Sequence, residues 1–103
     1  MRRAFAAIAI LPGLLAPSPA PAADAASGEA LARAWCAACH LVAADQERAP
    51  TVAPPFATIA RRPGFDIDQL TRSLQFPHPQ MPGRELAREQ AADIAAYIAT
   101  LAK

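Results

Sequence analysis

Residues 35–40 read Trp-Cys-Ala-Ala-Cys-His, and they hold both cysteines and one of the two histidines of a 103-residue chain. Two thiols three positions apart, followed at once by an imidazole, admit four chemistries. A redox-active dithiol is one, because Cys-x-x-Cys spacing depresses thiol pKa. It requires a strand before the motif and a βαβ surrounding, and no segment here alternates with period two for long enough to be a strand. A structural disulfide is the second, but closing so small a loop constrains the unfolded chain little. Zinc is the third, with Cys36, Cys39, His40 and His78 as ligands. Adjacent ligands at 39 and 40 suit a tetrahedral site poorly, and the usual second pair is absent. Covalent haem is the fourth and the preferred reading. Cys-x-x-Cys-His is the attachment signature of c-type haem. The thiols of Cys36 and Cys39 can reach the two vinyl groups of one porphyrin, and His40 then lies under the iron as proximal ligand.

Outside this motif the chain is short of large apolar side chains. Its hydrophobic fraction of 53% rests mainly on alanine. A domain this small seldom holds together on side chains alone and usually takes a disulfide, a metal or another cross-link. A porphyrin plate supplies the missing apolar bulk. The N-terminus has the pattern of a secretory leader: Arg2 and Arg3, then the apolar run AFAAIAILPGLLA, then small and proline-rich residues ending in Ala20-Pro21-Ala22. The expected division is a signal peptide at 1–22 and one domain at 23–103. The apolar run is broken by Pro12-Gly13 and is shorter than the roughly 20 residues that span a bilayer. An uncleaved anchor is the alternative. Loss of Arg2 and Arg3 with the leader moves the formal charge from +1 to −1, so no basic patch for nucleic acid is left.

The coarse pattern is helix and loop throughout. Ser27 is expected to cap a first helix running to about Ala38, with Glu29 in its first turn. Residues 41–54, with Pro50 and Pro54, read as loop, and Pro55 opens a short helix stopped by Pro63-Gly64. Asp66 or Asp68 opens a third helix with Ile67, Leu70 and Leu74 at helical spacing. Pro77, Pro79 and Pro82 forbid regular helix around His78 and Met81. In the last segment, about Arg84 to Ala102, Ile94, Tyr97, Ile98 and Leu101 fall at i, i+3, i+4 and i+7, the signature of an amphipathic helix.

Four stretches in this order, GEALARAWCAACH, APPFATIA, HPQMPG and DIAAYIATL, make the chain resemble the small bacterial class I mono-haem cytochromes c from about Gly28 to Leu101. The resemblance implies an all-α fold of the cytochrome c type, with about four helices around a covalently bound haem. It implies that Met81, before Pro82, is the second axial ligand. It also implies that the carbonyl of Pro54, two residues before Phe56, receives the second N–H of His40. Gly28 and Tyr97 match the crossing of first and last helices. Three positions depart from the family pattern: Ala53 in place of glycine, Ala32 in place of an aromatic residue, and Ala87 in place of a capping serine or threonine. His78 is the rival ligand, and a surface or propionate-contacting role is preferred for it. Trp35 is read as packing, and Arg61, Arg62 and Arg72 are open to pairing with propionates.

The expected function is periplasmic one-electron transfer by one haem c with His40 and Met81 as axial ligands, without catalysis. Redox partners would dock transiently at an exposed haem edge, with no nucleic acid partner and no membrane span in the mature chain. A haem c subunit of a larger periplasmic oxidoreductase, paired with a dehydrogenase or oxidase, is the alternative. A gas-binding haem protein is a further one, and it needs Met81 displaced.

Overall fold

The computed structural model describes residues 3–13, 22–76, 81 and 85–103. Among them are four helices and no strand: α1 Ala25–Trp35, α2 Phe56–Ala60, α3 Ile67–Gln75 and α4 Arg88–Thr100. The expected all-α architecture is therefore the observed one. Residues 3–13 lie outside it without regular structure, and Phe5, Ile8, Ile10 and Leu11 are each at least 85% exposed. No described helix is long and apolar enough to cross a membrane.

The first helix begins earlier than Ser27 and stops earlier than Ala38. Asp24 is its cap: in an extended conformation, its carboxylate accepts the amides of Ala26 at 2.9 Å and Ser27 at 3.2 Å. Ser27 serves that cap instead of being one, its hydroxyl donating to the same carboxylate at 3.1 Å. These donors hold the Asp24 carboxyl below its ordinary range, the Ser27 amide being the largest cause. Glu29 thus falls in the second turn, where it faces Arg33 at 3.8 Å. At the other end the chain turns away at Cys36, whose carbonyl accepts the amides of Cys39 at 3.2 Å and His40 at 2.9 Å.

The α1–α4 crossing is the centre of the molecule. Gly28 is buried there, and a Cβ on it would be driven into the carbonyl of Asp93 and to 2.9 Å from the amide of Ile94. Ala32, Ala91 and Ala95 are fully buried around it. The Asp93 side chain closes the edge, accepting the Asp24 amide at 2.8 Å. Helix α4 presents the expected stripe: Ile94, Tyr97 and Ile98 are buried and Leu101 packs against the same cluster. Ala87 offers no side-chain cap, but Gln90 reaches back to accept the Ala87 amide at 3.0 Å, the return half of a capping box.

Helices α2 and α3 complete the core with Phe56, Ala60 and Leu74. Between them Gly64 takes a left-handed φ of 78°, the conformation that lets the chain reverse after α2. Asp66 caps α3 by accepting the Gln69 amide at 3.0 Å, and Asp68 sits in the first turn. Ile67, despite its helical spacing, is 42% exposed, and Thr71 takes the buried position next to Leu74. The threonine hydroxyl donates to the Ile67 carbonyl at 2.8 Å, which removes the cost of burying it.

Two outcomes follow. Gly28→Ala forces α1 and α4 apart and costs about 1–3 kcal/mol. Thermal unfolding of the haem-loaded protein should register this as a fall of roughly 4–8 °C per kcal/mol. Asp24, and Asp45 beside Arg33, both carry carboxyl groups held below their ordinary range. A depressed folded pKa gives stability that is full above about pH 4 and drains as the pH drops through the folded value. The denaturation midpoint of the Asp24→Asn/Asp45→Asn variant should therefore change less than that of the wild type between neutral and acid pH.

Candidate cofactor site

The attachment motif starts where α1 ends. Cys36 is the residue on which the helix closes, its amide donating to Ala32 at 2.8 Å. Both cysteines are free thiols, Cys36 half-buried and Cys39 exposed. Burial pushes the Cys36 thiol up. The tight turn through Cys39 and His40 therefore places two unpaired sulfurs and an imidazole on one short piece of backbone anchored to the longest-range contact in the fold.

The loop at 41–56 folds back along this turn and pairs with it. The Ala53 amide donates to the Cys39 carbonyl at 3.1 Å, and the Phe56 amide donates to the Leu41 carbonyl at 2.9 Å. Pro54 sits between these two rungs, opposite His40. A proline has no N–H to give, but its carbonyl is free to accept, and His40 Nδ1 approaches it at 2.6 Å. Because a carbonyl can only accept, the proton is on Nδ1, and the lone pair of the neutral ring is on Nε2. The imidazole is thus in the tautomer a metal ligand needs. The Phe56 ring, buried, lies 5.1 Å from the imidazole at a tilt of 51°. Alanine at 53 loses nothing at this point, since only its amide is used.

Three further sets of contacts that sequence reading did not single out hold the loop. Gln46 accepts the Val42 amide at 2.9 Å and donates to the carbonyls of Ala37 at 3.1 Å and His40 at 3.3 Å. Tyr97 of α4 donates its hydroxyl to the Val42 carbonyl at 2.7 Å. Asp45 pairs with Arg33 of α1 at 2.9 Å, which holds its carboxyl low. A glutamine in an irregular loop carries no periodicity or spacing by which it could be found; Tyr97 stood out only for its place on α4.

Met81 is half-buried and packs against the core cluster. His78 lies outside the described residues. Trp35 is half-buried. Arg61 donates to the carbonyl of Lys103 at 3.0 Å, and Arg62 and Arg72 are exposed. Among the described residues no three His, Cys, Asp or Glu side chains form a metal-binding group.

These residues fit a haem. Of the ten buried apolar residues among those described four are alanines, so the protein interior is thin. Val52, two positions before Pro54, and Phe76, at the end of α3, are each 81% exposed. Two thiols and an oriented imidazole on one turn, with Val52 uncovered on the loop paired to that turn, make a donor set and an apolar edge suited to a porphyrin.

Comparison with known proteins agrees. Residues 23–98 match the family described as cytochrome c oxidase, cbb3-type, subunit III. The chain is 51% identical over 84 residues to cytochrome c-552 of Bradyrhizobium diazoefficiens, an alignment that covers 82% of this chain and 81% of that one. With Cys36 and Cys39 in the attachment motif, the cofactor is covalently bound haem c and the activity is haem-based electron transfer. A turn built to hold one haem, inside a helical frame matched along most of its length, makes this chain a member of the cytochrome c family.

Proposed function

We propose that the chain is a periplasmic one-electron carrier, with His40 and Met81 as the axial ligands and no catalysis of its own. The observation that supports the reading is the hydrogen bond from His40 to the Pro54 carbonyl, which leaves Nε2 available to an iron. The bound haem supplies reversible Fe(III)/Fe(II) cycling; the protein supplies position, dielectric and ligand identity. Cys36 and Cys39 fix the porphyrin to the end of α1. His40 holds one axial position with its ring locked by Pro54 and flanked by Phe56. Met81 supports the other position by its half-buried place against the core and by its proline neighbour in sequence. A thioether opposite an imidazole favours the ferrous state and raises the potential. With both positions taken by protein, no substrate has a route to the metal, so the chain passes electrons between partners.

Export supports the same reading. The family match begins at residue 23, where small-residue cleavage would leave the mature chain, and the apolar side chains of 3–13 add nothing to the core. Attachment of c-type haem belongs outside the bacterial cytoplasm, where an exported chain arrives. The 1–22 segment is accordingly a signal peptide and 23–103 the working domain.

One observation favours a second arrangement. The matched family is described as a subunit of a terminal oxidase, so this domain can also serve as the haem c subunit of a larger periplasmic oxidoreductase. Purification under mild conditions separates the two. The carrier reading expects a monomeric haem protein, and a stoichiometric partner that survives chromatography would replace it with the subunit reading.

The ligand assignment is tested by Met81→Ala. The variant should lose the methionine–iron charge-transfer absorption, fall in reduction potential and bind carbon monoxide when reduced. An unchanged spectrum in Met81→Ala, with the change appearing in His78→Ala, would assign the position to His78.

A further inference from the structure

We propose that Gln46 is the positioning residue of the attachment turn, keeping His40 in one orientation toward the iron from the main-chain side. The inference rests on the reading of His40 as axial ligand.

The amide of Gln46 uses all three of its arms on backbone groups of one segment. Oε1 accepts from Val42 at 2.9 Å; Nε2 donates to Ala37, inside the Cys-x-x-Cys loop, at 3.1 Å and to His40 itself at 3.3 Å. The partners allow only this orientation of the amide, because a backbone N–H can only donate and a carbonyl can only accept. Val42 is 1% exposed, so its amide has no water to turn to if Gln46 is lost. Its carbonyl is already taken by Tyr97 at 2.7 Å.

Gln46 is in turn held from outside. Its own amide donates to Ala43 at 3.2 Å, and the neighbouring Asp45 is paired with Arg33 of α1 at 2.9 Å. The turn at 43–46 is therefore a bracket between α1 and the attachment segment. Pro54 fixes the His40 ring, and Gln46 fixes the backbone from which that ring hangs. With the ring held at Pro54, displacement of the imidazole as a unit requires movement of that backbone, which three hydrogen bonds from one side chain resist. A loosened backbone lengthens the Nδ1–H···O contact with Pro54. A weaker contact makes the ligand less basic and stabilises the ferric state less.

Gln46→Leu removes all three bonds at similar side-chain size. Gln46→Glu keeps the acceptor for Val42 and deletes both donors. In the haem-loaded protein, Gln46→Leu should speed amide hydrogen exchange at Val42 by about tenfold or more. Gln46→Glu should leave that exchange slow. Both variants should shift the hyperfine-shifted haem methyl resonances with the methionine–iron absorption retained, and Gln46→Leu, which adds no charge, should raise the reduction potential. If Gln46→Leu does not mature, Gln46→Glu carries the test alone. Resonances identical to wild type in the variants that mature, whatever their stability, would overturn the proposal and leave Gln46 a structural residue. Failure of the underlying reading looks different: His40→Ala would then retain the wild-type low-spin spectrum while Gln46 is untouched.

Discussion

The rest of the site depends on a single constraint, the pairing of residues 39–41 with 53–56. Two backbone rungs, from Ala53 to Cys39 and from Phe56 to Leu41, set the distance between the strands of this loop. The Pro54 carbonyl has no choice of partner between them, and it meets His40 Nδ1 at 2.6 Å. One such bond contributes about 1 kcal/mol to folding. Its larger effect is chemical, since it decides which nitrogen of His40 keeps its lone pair. A proline is suited to the position because it has no N–H to compete for the acceptors around it, and because Pro55 after it caps α2, whose first residue Phe56 lies against the imidazole.

That pairing would be of little use on a loose frame, and the frame is economical. Helices α1 and α4 meet backbone to backbone at Gly28, with alanines filling the surrounding space. Close approach brings many small contacts within dispersion range without large side chains. The cost is a protein interior with little apolar volume, and Val52 and Phe76 left largely exposed. Cofactor and crossing are thus complementary. The crossing is made by the chain's own backbone and leaves Cys36 at the end of α1, and a bound porphyrin would add apolar surface that the side chains do not supply.

What could be read from the sequence divides along the same line. Residues whose identity is dictated by chemistry or by helical period were visible: the Cys36-Cys39-His40 spacing, and the Ile94, Tyr97, Ile98 and Leu101 stripe of α4. Pro54 came from family likeness, because nothing local distinguishes an accepting proline from one that only starts a helix. The start of α1 was misplaced since Asp24 and Ser27 are both good caps in isolation. Packing chose between them, as only a helix begun at Asp24 places its amide on Asp93 across the crossing. Ile67 shares the helical spacing of Leu70 and Leu74, yet Thr71 can be buried in its place because its hydroxyl finds a carbonyl one turn back. Gln46 and the Arg33–Asp45 pair were invisible for a related reason. Their partners are backbone atoms or distant side chains, which only the folded loop brings near.

An electron carrier works best when its coordination sphere changes little between oxidation states, so the stiffness of the ligand's support is part of its function. Here the support of His40 is built from separate directions: ring to Pro54, backbone to Gln46, and the adjoining Val42 to Tyr97 on α4. Pro54 and Gln46 share the loop at 41–56 while Tyr97 lies on α4, so opening of the loop leaves the α4 anchor in place. The thioether-bearing turn is also the end of α1, and α1 is locked to α4 at Gly28. Displacement of the backbone that carries His40 is therefore resisted by the crossing of the first and last helices as well as by the loop.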